Sequence, residues 1–342
     1  MMNVSSACVE AGRRRQDPLR RLMPTPLAAN LSLMARTIRL ETNSPAILEP
    51  TRDLLHRYSN ASHGPQEFLW RIVSESVAHA GPPWPEVSAF SCEDLRFASF
   101  GQHGFLAVDL AAREAVGWLP EGLAADPAGF VSPFLNTLFV LTAGALRLTP
   151  LSAACVTVGR KGVVVLGKPN NGKTTSSYLT ARLGLEFYSD GAVFLDLDDG
   201  RLRLWGDFSP ASFRPETARF LPSLFSVGRE FRYRDMTFLY VDGGTSIPFN
   251  GYPIVPVACV FLERGVQGTP RLTPLDRVRF SQELEDNLPF RDDERFENQT
   301  SAALSALSHV PAYHLTYGPD PGVAATFLRN ILMIHKALEV GL

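Results

Sequence analysis

Eight consecutive residues carry the chemistry that is plainest in the sequence. Gly167-Lys168-Pro169-Asn170-Asn171-Gly172-Lys173-Thr174 fits the spacing GxxxxGK[ST] at every fixed position, and such a loop binds phosphate. Gly167 lets the chain leave a strand sharply. Gly172 lets the backbone approach phosphate without a side chain in the way. The helix that follows presents unpaired N–H groups and a positive dipole end. Lys173 brings a point charge to the β- and γ-phosphates, and the Thr174 hydroxyl is placed to ligate magnesium. Asn170, Asn171 and Thr175 complete the cradle. Pro169 has no N–H to give, Lys168 is free to point outward, and asparagine tolerates left-handed backbone. The expected cofactors are ATP and magnesium.

Phosphoryl transfer also needs a carboxylate, to hold the metal or to take a proton from the acceptor hydroxyl. Asp190 is the first candidate, because it ends the strand that begins just after the P-loop helix. Asp196 is the second, because an acid after the apolar residues 192–195 mimics a Walker B strand. Asp198 and Asp199 read as a solvated turn. The run 196–200 is not a calcium loop: its glycine comes one place early and the closing glutamate is missing.

The elements around the loop fit this reading. Residues 162–166 are a short, β-branched apolar run, the pattern of a buried strand. Residues 174–183 suit a helix, with Gly184 as its stop. Strand patterns follow at 185–189 and 192–197, then the turn Asp198-Asp199-Gly200 and the alternating Arg201-Leu202-Arg203-Leu204-Trp205. A hairpin so soon after a P-loop helix predicts a mixed sheet. Another buried strand is expected at 257–262, and helices at 277–288, 299–308 and 322–339.

The earlier half carries no comparable constellation and reads as a small α+β domain over 37–147, before a P-loop domain over 148–342. Its expected elements are helices at 47–58 and 66–79, a hairpin across 101–104 between strands 95–100 and 105–110, and a helix over 131–145. Residues 81–85 (Gly-Pro-Pro-Trp-Pro) read as a linker. Residues 1–36, with clustered arginines, read as a disordered tail of which 1–33 are expected to be dispensable, and Met34 stands as an alternative start.

With its strand, turn and helix in place, the block 151–195 resembles the catalytic domain of HPr kinase/phosphorylase and its kinase-like relatives. The alanine-rich Leu151-Ser152-Ala153-Ala154-Cys155-Val156 comes first. The P-loop strand, the P-loop, the pair Gly184-Leu185 and the strand ending at Asp190 follow in order. The resemblance implies an α/β P-loop core of the HPr kinase and phosphoenolpyruvate carboxykinase type. It also implies ATP with magnesium, and phosphorylation of a serine-like hydroxyl on a peptide or small protein. Shorter members of this kind occur beside enzymes that build modified peptides. Three positions depart from the family pattern. Ser152 stands where a histidine is usual, and Ser189-Asp190-Gly191 stands where two aspartates are adjacent. A later Glu-x-Arg-Gly run is missing, with Glu230-Phe231-Arg232 its only fragment. One acidic role is therefore vacant, and phosphorylase activity toward HPr itself is not expected. The rival reading is a nucleotide-binding regulatory or scaffold protein without phosphotransfer.

Composition narrows the partners. The chain has 342 residues, 45% hydrophobic and 20% charged, and a formal net charge of -2, which gives no global case for nucleic acid. No run of about 20 apolar residues is evident, so no membrane partner is expected. The four cysteines, Cys8, Cys92, Cys155 and Cys259, show no CxxC pairing; neither zinc nor a disulfide framework is expected, and the picture is cytoplasmic. Cys155 and Cys259 read as small buried hydrophobes. His314 reads as structural. Arg214, Arg232, Arg234 and Arg291 are candidates to meet a transferring phosphoryl group. The stretch 226–250 reads as a substrate loop or a plain surface loop. A homo-oligomer is left open.

Overall fold

The computed structural model describes residues 24–58, 66–77, 86–207, 211–226, 228–233, 236–241, 251–265, 269–289 and 294–340. Its first part begins with the hairpin β1 (Leu27–Leu33) and β2 (Arg36–Thr42), then α1 (Pro45–Leu55) and β3 (Gln66–Glu75). The strands β4 (Ser88–Cys92), β5 (Leu95–Ser99), β6 (Phe105–Asp109) and β7 (Glu114–Pro120) precede a helical segment, α2 (Pro127–Leu146). The seven strands form one sheet in the order β1-β2-β3-β7-β6-β5-β4. The β2–β3 and β3–β7 pairs are parallel; the hairpins on either side are antiparallel.

Three expectations are overturned here. Residues 66–75 are a central strand, not a helix. Phe68, Trp70, Ile72 and Val73 are all buried, and Arg71 between them is buried by its ion pairs to Glu41 and Glu114. A strand covered on both faces loses its period of two, so periodicity could not separate it from a helix. Residues 27–36 are not a tail: β1 lies at the edge of the sheet, with Leu31 and Leu33 in the core. Its turn is unusual, because Met34 and Ala35 take φ values of 49° and 63°, where asparagine and glycine are the usual signals. Met34 is fully buried. Finally, α2 is long and apolar enough to cross a membrane, yet 72% of its apolar window is buried. Phe130, Phe134, Leu138 and Phe139 fill the core beneath the sheet. The expected linker at 81–85 lies outside the described residues.

The second part runs β8 (Thr149–Leu151), β9 (Ala154–Val158), β10 (Lys161–Leu166), α3 (Lys173–Arg182) and β11 (Glu186–Ser189). Then come β12 (Val193–Asp198), β13 (Arg201–Gly206), β14 (Ala211–Phe213), β15 (Arg229–Tyr233) and β16 (Met236–Val241). It closes with β17 (Val255–Arg264), β18 (Arg271–Pro274), α4 (Arg277–Glu285), α5 (Glu297–Leu307), β19 (Ala312–Tyr317) and α6 (Pro321–Val340). The main sheet is mixed, with order β11-β9-β10-β17-β19-β18; its antiparallel members are β9 and β18, whereas the hairpin expected to make it mixed, β12–β13, lies in a separate sheet. Strands β10, β17 and β19 are parallel neighbours.

The run Val163-Val164-Val165-Leu166 is apolar on both faces because both faces are covered. Val163 and Val165 meet Ala324, Leu328 and Leu332 of α6; Val164 and Leu166 meet Phe280 and Leu284 of α4 and Leu307 of α5. Each such fully buried side chain contributes about 1.5–3 kcal/mol. Cys155 and Cys259 lie in these layers with no exposure, and burial pushes both thiols well above their ordinary range. Two small sheets, β13-β12-β8 and β14-β16-β15, flank the main one. Part of the stretch 226–250 is thus strand (β15 and β16), while 242–250 lies outside the described residues.

The two parts share a core. Phe194 of β12 and Trp205 of β13 belong to the same buried cluster as the first sheet, and Phe194 packs on Phe139 with ring centroids 4.3 Å apart. Tyr58 donates its hydroxyl hydrogen to Gly206 O at 2.7 Å. Arg36 of β2 grips both oxygens of Asp196 at 2.7 and 2.8 Å.

Candidate phosphate-binding site

The loop after β10 lies at the carboxyl end of three parallel strands, where open α/β sheets gather their ligands. Gly167 takes φ 132°, and a Cβ there would lie 2.6 Å from Leu262 O. Only glycine lets the chain turn off β10 so close to β17. Asn170 takes the left-handed φ of 71°. Asn171 is held on both sides: its Nδ2 donates to Leu262 O at 2.8 Å, and its own carbonyl accepts the Tyr317 hydroxyl at 2.8 Å. Gly172 takes φ 78°, and a Cβ there would lie 2.3 Å from Tyr317 Oη. The loop is thus pinned to β17 and β19.

Gly172 also begins α3, and no side chain caps this N-terminus. The first N–H groups of the helix face a cavity of about 520 Å³ lined by Asn170, Gly172, Lys173, Thr174 and Thr175. Its opposite wall carries Ser212, Phe213, Arg214, Arg219, Phe220 and Phe238, with Arg264 and Tyr317 beside the loop. Lys173 folds back and donates to Gly167 O at 2.7 Å. Burial lowers its pKa, and the nearby Asp190 charge partly offsets that.

Asp190 directly follows β11 and is only 7% exposed. Its Oδ2 accepts the Ser212 N–H at 3.2 Å. Its Oδ1 is buried with no hydrogen-bond partner among the described residues. Burial pushes this carboxyl up to about 6, against the pull of the Thr174 hydroxyl, the Ser212 N–H and the Lys173 ammonium. An orphaned carboxylate oxygen beside a threonine hydroxyl and an uncapped helix N-terminus fits a hard cation bound together with phosphate. A carboxyl poised near 6 also suits proton transfer near neutral pH.

The other candidates separate. Asp196, read as a Walker B acid, does not line the cavity. It is buried against Arg36 and also accepts from Trp205 Nε1 at 2.9 Å. Burial alone would raise its pKa; the Arg36 hydrogen bonds and charge hold it below the usual carboxylate range. Its role is to join the two parts of the chain. Asp198 and Asp199 are at the exposed end of the β12–β13 hairpin, where Asp199 turns at φ 46°. Arg214 lines the cavity and exposed Arg232 does not; Arg234 and Arg291 lie outside the described residues. Ser152 is exposed and its N–H bonds Asn287 O. His314 lies on β19 with its Nε2 3.5 Å from Glu263. Sequence reasoning missed Arg219, Arg264, Ser212 and Tyr317. Arg264 ends β17, the parallel neighbour of β10, and Tyr317 ends β19, the next parallel strand beyond it, so strand order, had it been known, points to them.

No family model matches this chain, and no curated protein matches it. Among solved structures it is similar to the HPr(Ser) kinase/phosphatase from Coxiella burnetii. That likeness covers 56% of this chain and 93% of the other at 10% identity and a TM-score of 0.29.

Proposed function

We propose that this protein binds ATP with magnesium and transfers a phosphoryl group to a serine-like hydroxyl of a peptide or small protein. The observation that supports it is the buried Asp190, with one oxygen unpartnered, beside an uncapped P-loop helix bearing Lys173 and Thr174. Thr174 and Asp190 hold the metal in this reading. Gly167, Asn170, Asn171, Gly172 and Thr175 shape the loop around the phosphates, and Lys173 exchanges its bond to Gly167 O for phosphate oxygens. Magnesium, when bound, neutralises charge on the β- and γ-phosphate oxygens. Arg214 and Arg219 on the facing wall supply positive charge toward the transferring group. The open side of the cavity, with Phe213, Phe220 and Phe238, leaves room for an acceptor chain.

The single aspartate in Ser189-Asp190-Gly191, where the family pattern has two, favours one rival, a nucleotide-binding regulator or scaffold without transfer. Lys173→Ala tests the shared premise. Alanine keeps a good helix former at the start of α3, so ligand-free melting should hardly move. Wild-type protein should gain about 2.7 kcal/mol with magnesium-ATP at 100 times its dissociation constant, and the variant should lose most of that. Equal ATP-induced shifts in both proteins sink the phosphate-site reading. A wild-type shift with no labelled phosphate delivered to a peptide pool favours the regulator.

A further inference from the structure

Asp207 follows the last residue of β13 and is 1% exposed. Ser189, the residue before Asp190, donates its hydroxyl hydrogen to Asp207 Oδ1 at 2.8 Å, and the same hydroxyl oxygen lies 3.3 Å from the Asp207 N–H. The Ser189 hydroxyl also touches Ala192 O, so it closes the turn that carries Asp190 and Gly191. Gly191 fits this arrangement: a Cβ there would lie 3.1 Å from Asp207 Oδ2. Asp207 is itself held. Its N–H donates to Ala192 O at 3.2 Å, and Gly206 before it accepts the buried Tyr58 hydroxyl.

We propose that Asp207 is a positioning residue: through the Ser189 hydroxyl it fixes the turn 189–191 and so aims the Asp190 carboxylate at the magnesium held by Thr174. This rests on the proposed function and deepens it. The acid missing beside Asp190 in sequence is supplied from 17 residues further on, through the hydroxyl of Ser189, the residue before Asp190. A carboxylate behind a metal ligand orients it, and losing such a partner typically weakens metal affinity about 10–100-fold.

The test is the magnesium midpoint of thermal stabilisation at fixed saturating ATP, measured for wild type and five variants. Asp190→Asn removes the ligand and should shift the midpoint most. Ser189→Ala and Asp207→Ala should each raise it about 10-fold or more. Their double variant should be no worse than the worse single one, because both cut the same link. Asp207→Asn keeps an oxygen that accepts from Ser189 and should stay near wild type. Should Asp207→Ala fail to fold, Ser189→Ala, which leaves Asp207 in place, decides. No stabilisation of wild type by magnesium-ATP defeats the proposed function itself. Stabilised wild type with an unshifted Ser189→Ala midpoint overturns the positioning role alone; an unshifted Asp190→Asn midpoint overturns Asp190 as a metal ligand, and the positioning role falls with it.

Discussion

Asp190→Asn is expected to lower phosphoryl transfer about 100-fold or more, in line with general acid–base contributions, while making the ligand-free protein more stable above pH 6. The transfer loss follows from removing the carboxylate; the stability gain follows from its burial. The native fold holds this carboxyl at about 6, above the ordinary value of 3.8, because burial disfavours its charged form. A group whose folded pKa is raised binds its proton more tightly when folded. Its contribution to stability is therefore full below 3.8 and is lost as pH rises through 6. Asparagine carries no charge to bury, so the stabilisation by the variant should appear between pH 4 and 6 and stay constant above. Chemical denaturation at pH 4, 6 and 8 with a transfer assay at pH 8 reads both. Full transfer in the variant, or equal stabilities at pH 8, contradicts the account.

Arg36→Ala is expected to cost about 3–5 kcal/mol at neutral pH, the range for removing one partner of a buried pair. Arg36 donates to both Asp196 oxygens and to the carbonyls of Met34 and Leu146. Asp196 has its pKa lowered in the native fold, so its contribution is present above the unfolded carboxylate pKa and is lost as pH falls through the lower folded value. In the variant Asp196 stays buried without its cation, and protonation relieves it. The deficit should therefore be largest near pH 7 and shrink on acidification below about pH 4. Asp196→Asn with Arg36 retained is the companion measurement. A deficit that does not change between pH 7 and pH 3 rules out the ion pair as its source.

What was legible in the sequence had a local cause. The P-loop spacing, the β10 pattern and the hairpin signal Asp198-Asp199-Gly200 each lie within a few residues, and the structure forms the corresponding turn, strand and hairpin there. Asp190 could be ranked first because it ends the next strand after α3. What was not legible depends on pairing between distant segments. Asp196 has the local look of a Walker B acid, yet its partner is 160 residues away. Strand β3 hides its type because both faces are covered, and β1 hides behind a turn of methionine and alanine. Asp207, Arg264 and Tyr317 gain meaning only from strands that the chain brings side by side.

The grip of β2 on β12 has a consequence for how this chain can be divided. A cut near residue 147 would not yield two independent proteins. The second half alone would present Phe194 and Trp205 to water and leave Asp196 without its guanidinium, while Gly206, next to Asp207, would lose Tyr58. Swapping in a foreign amino-terminal module would therefore need the Arg36 and Tyr58 contacts rebuilt at the seam. Variation in the two halves should be correlated at those residues, and grafts that ignore them should be recovered as aggregates.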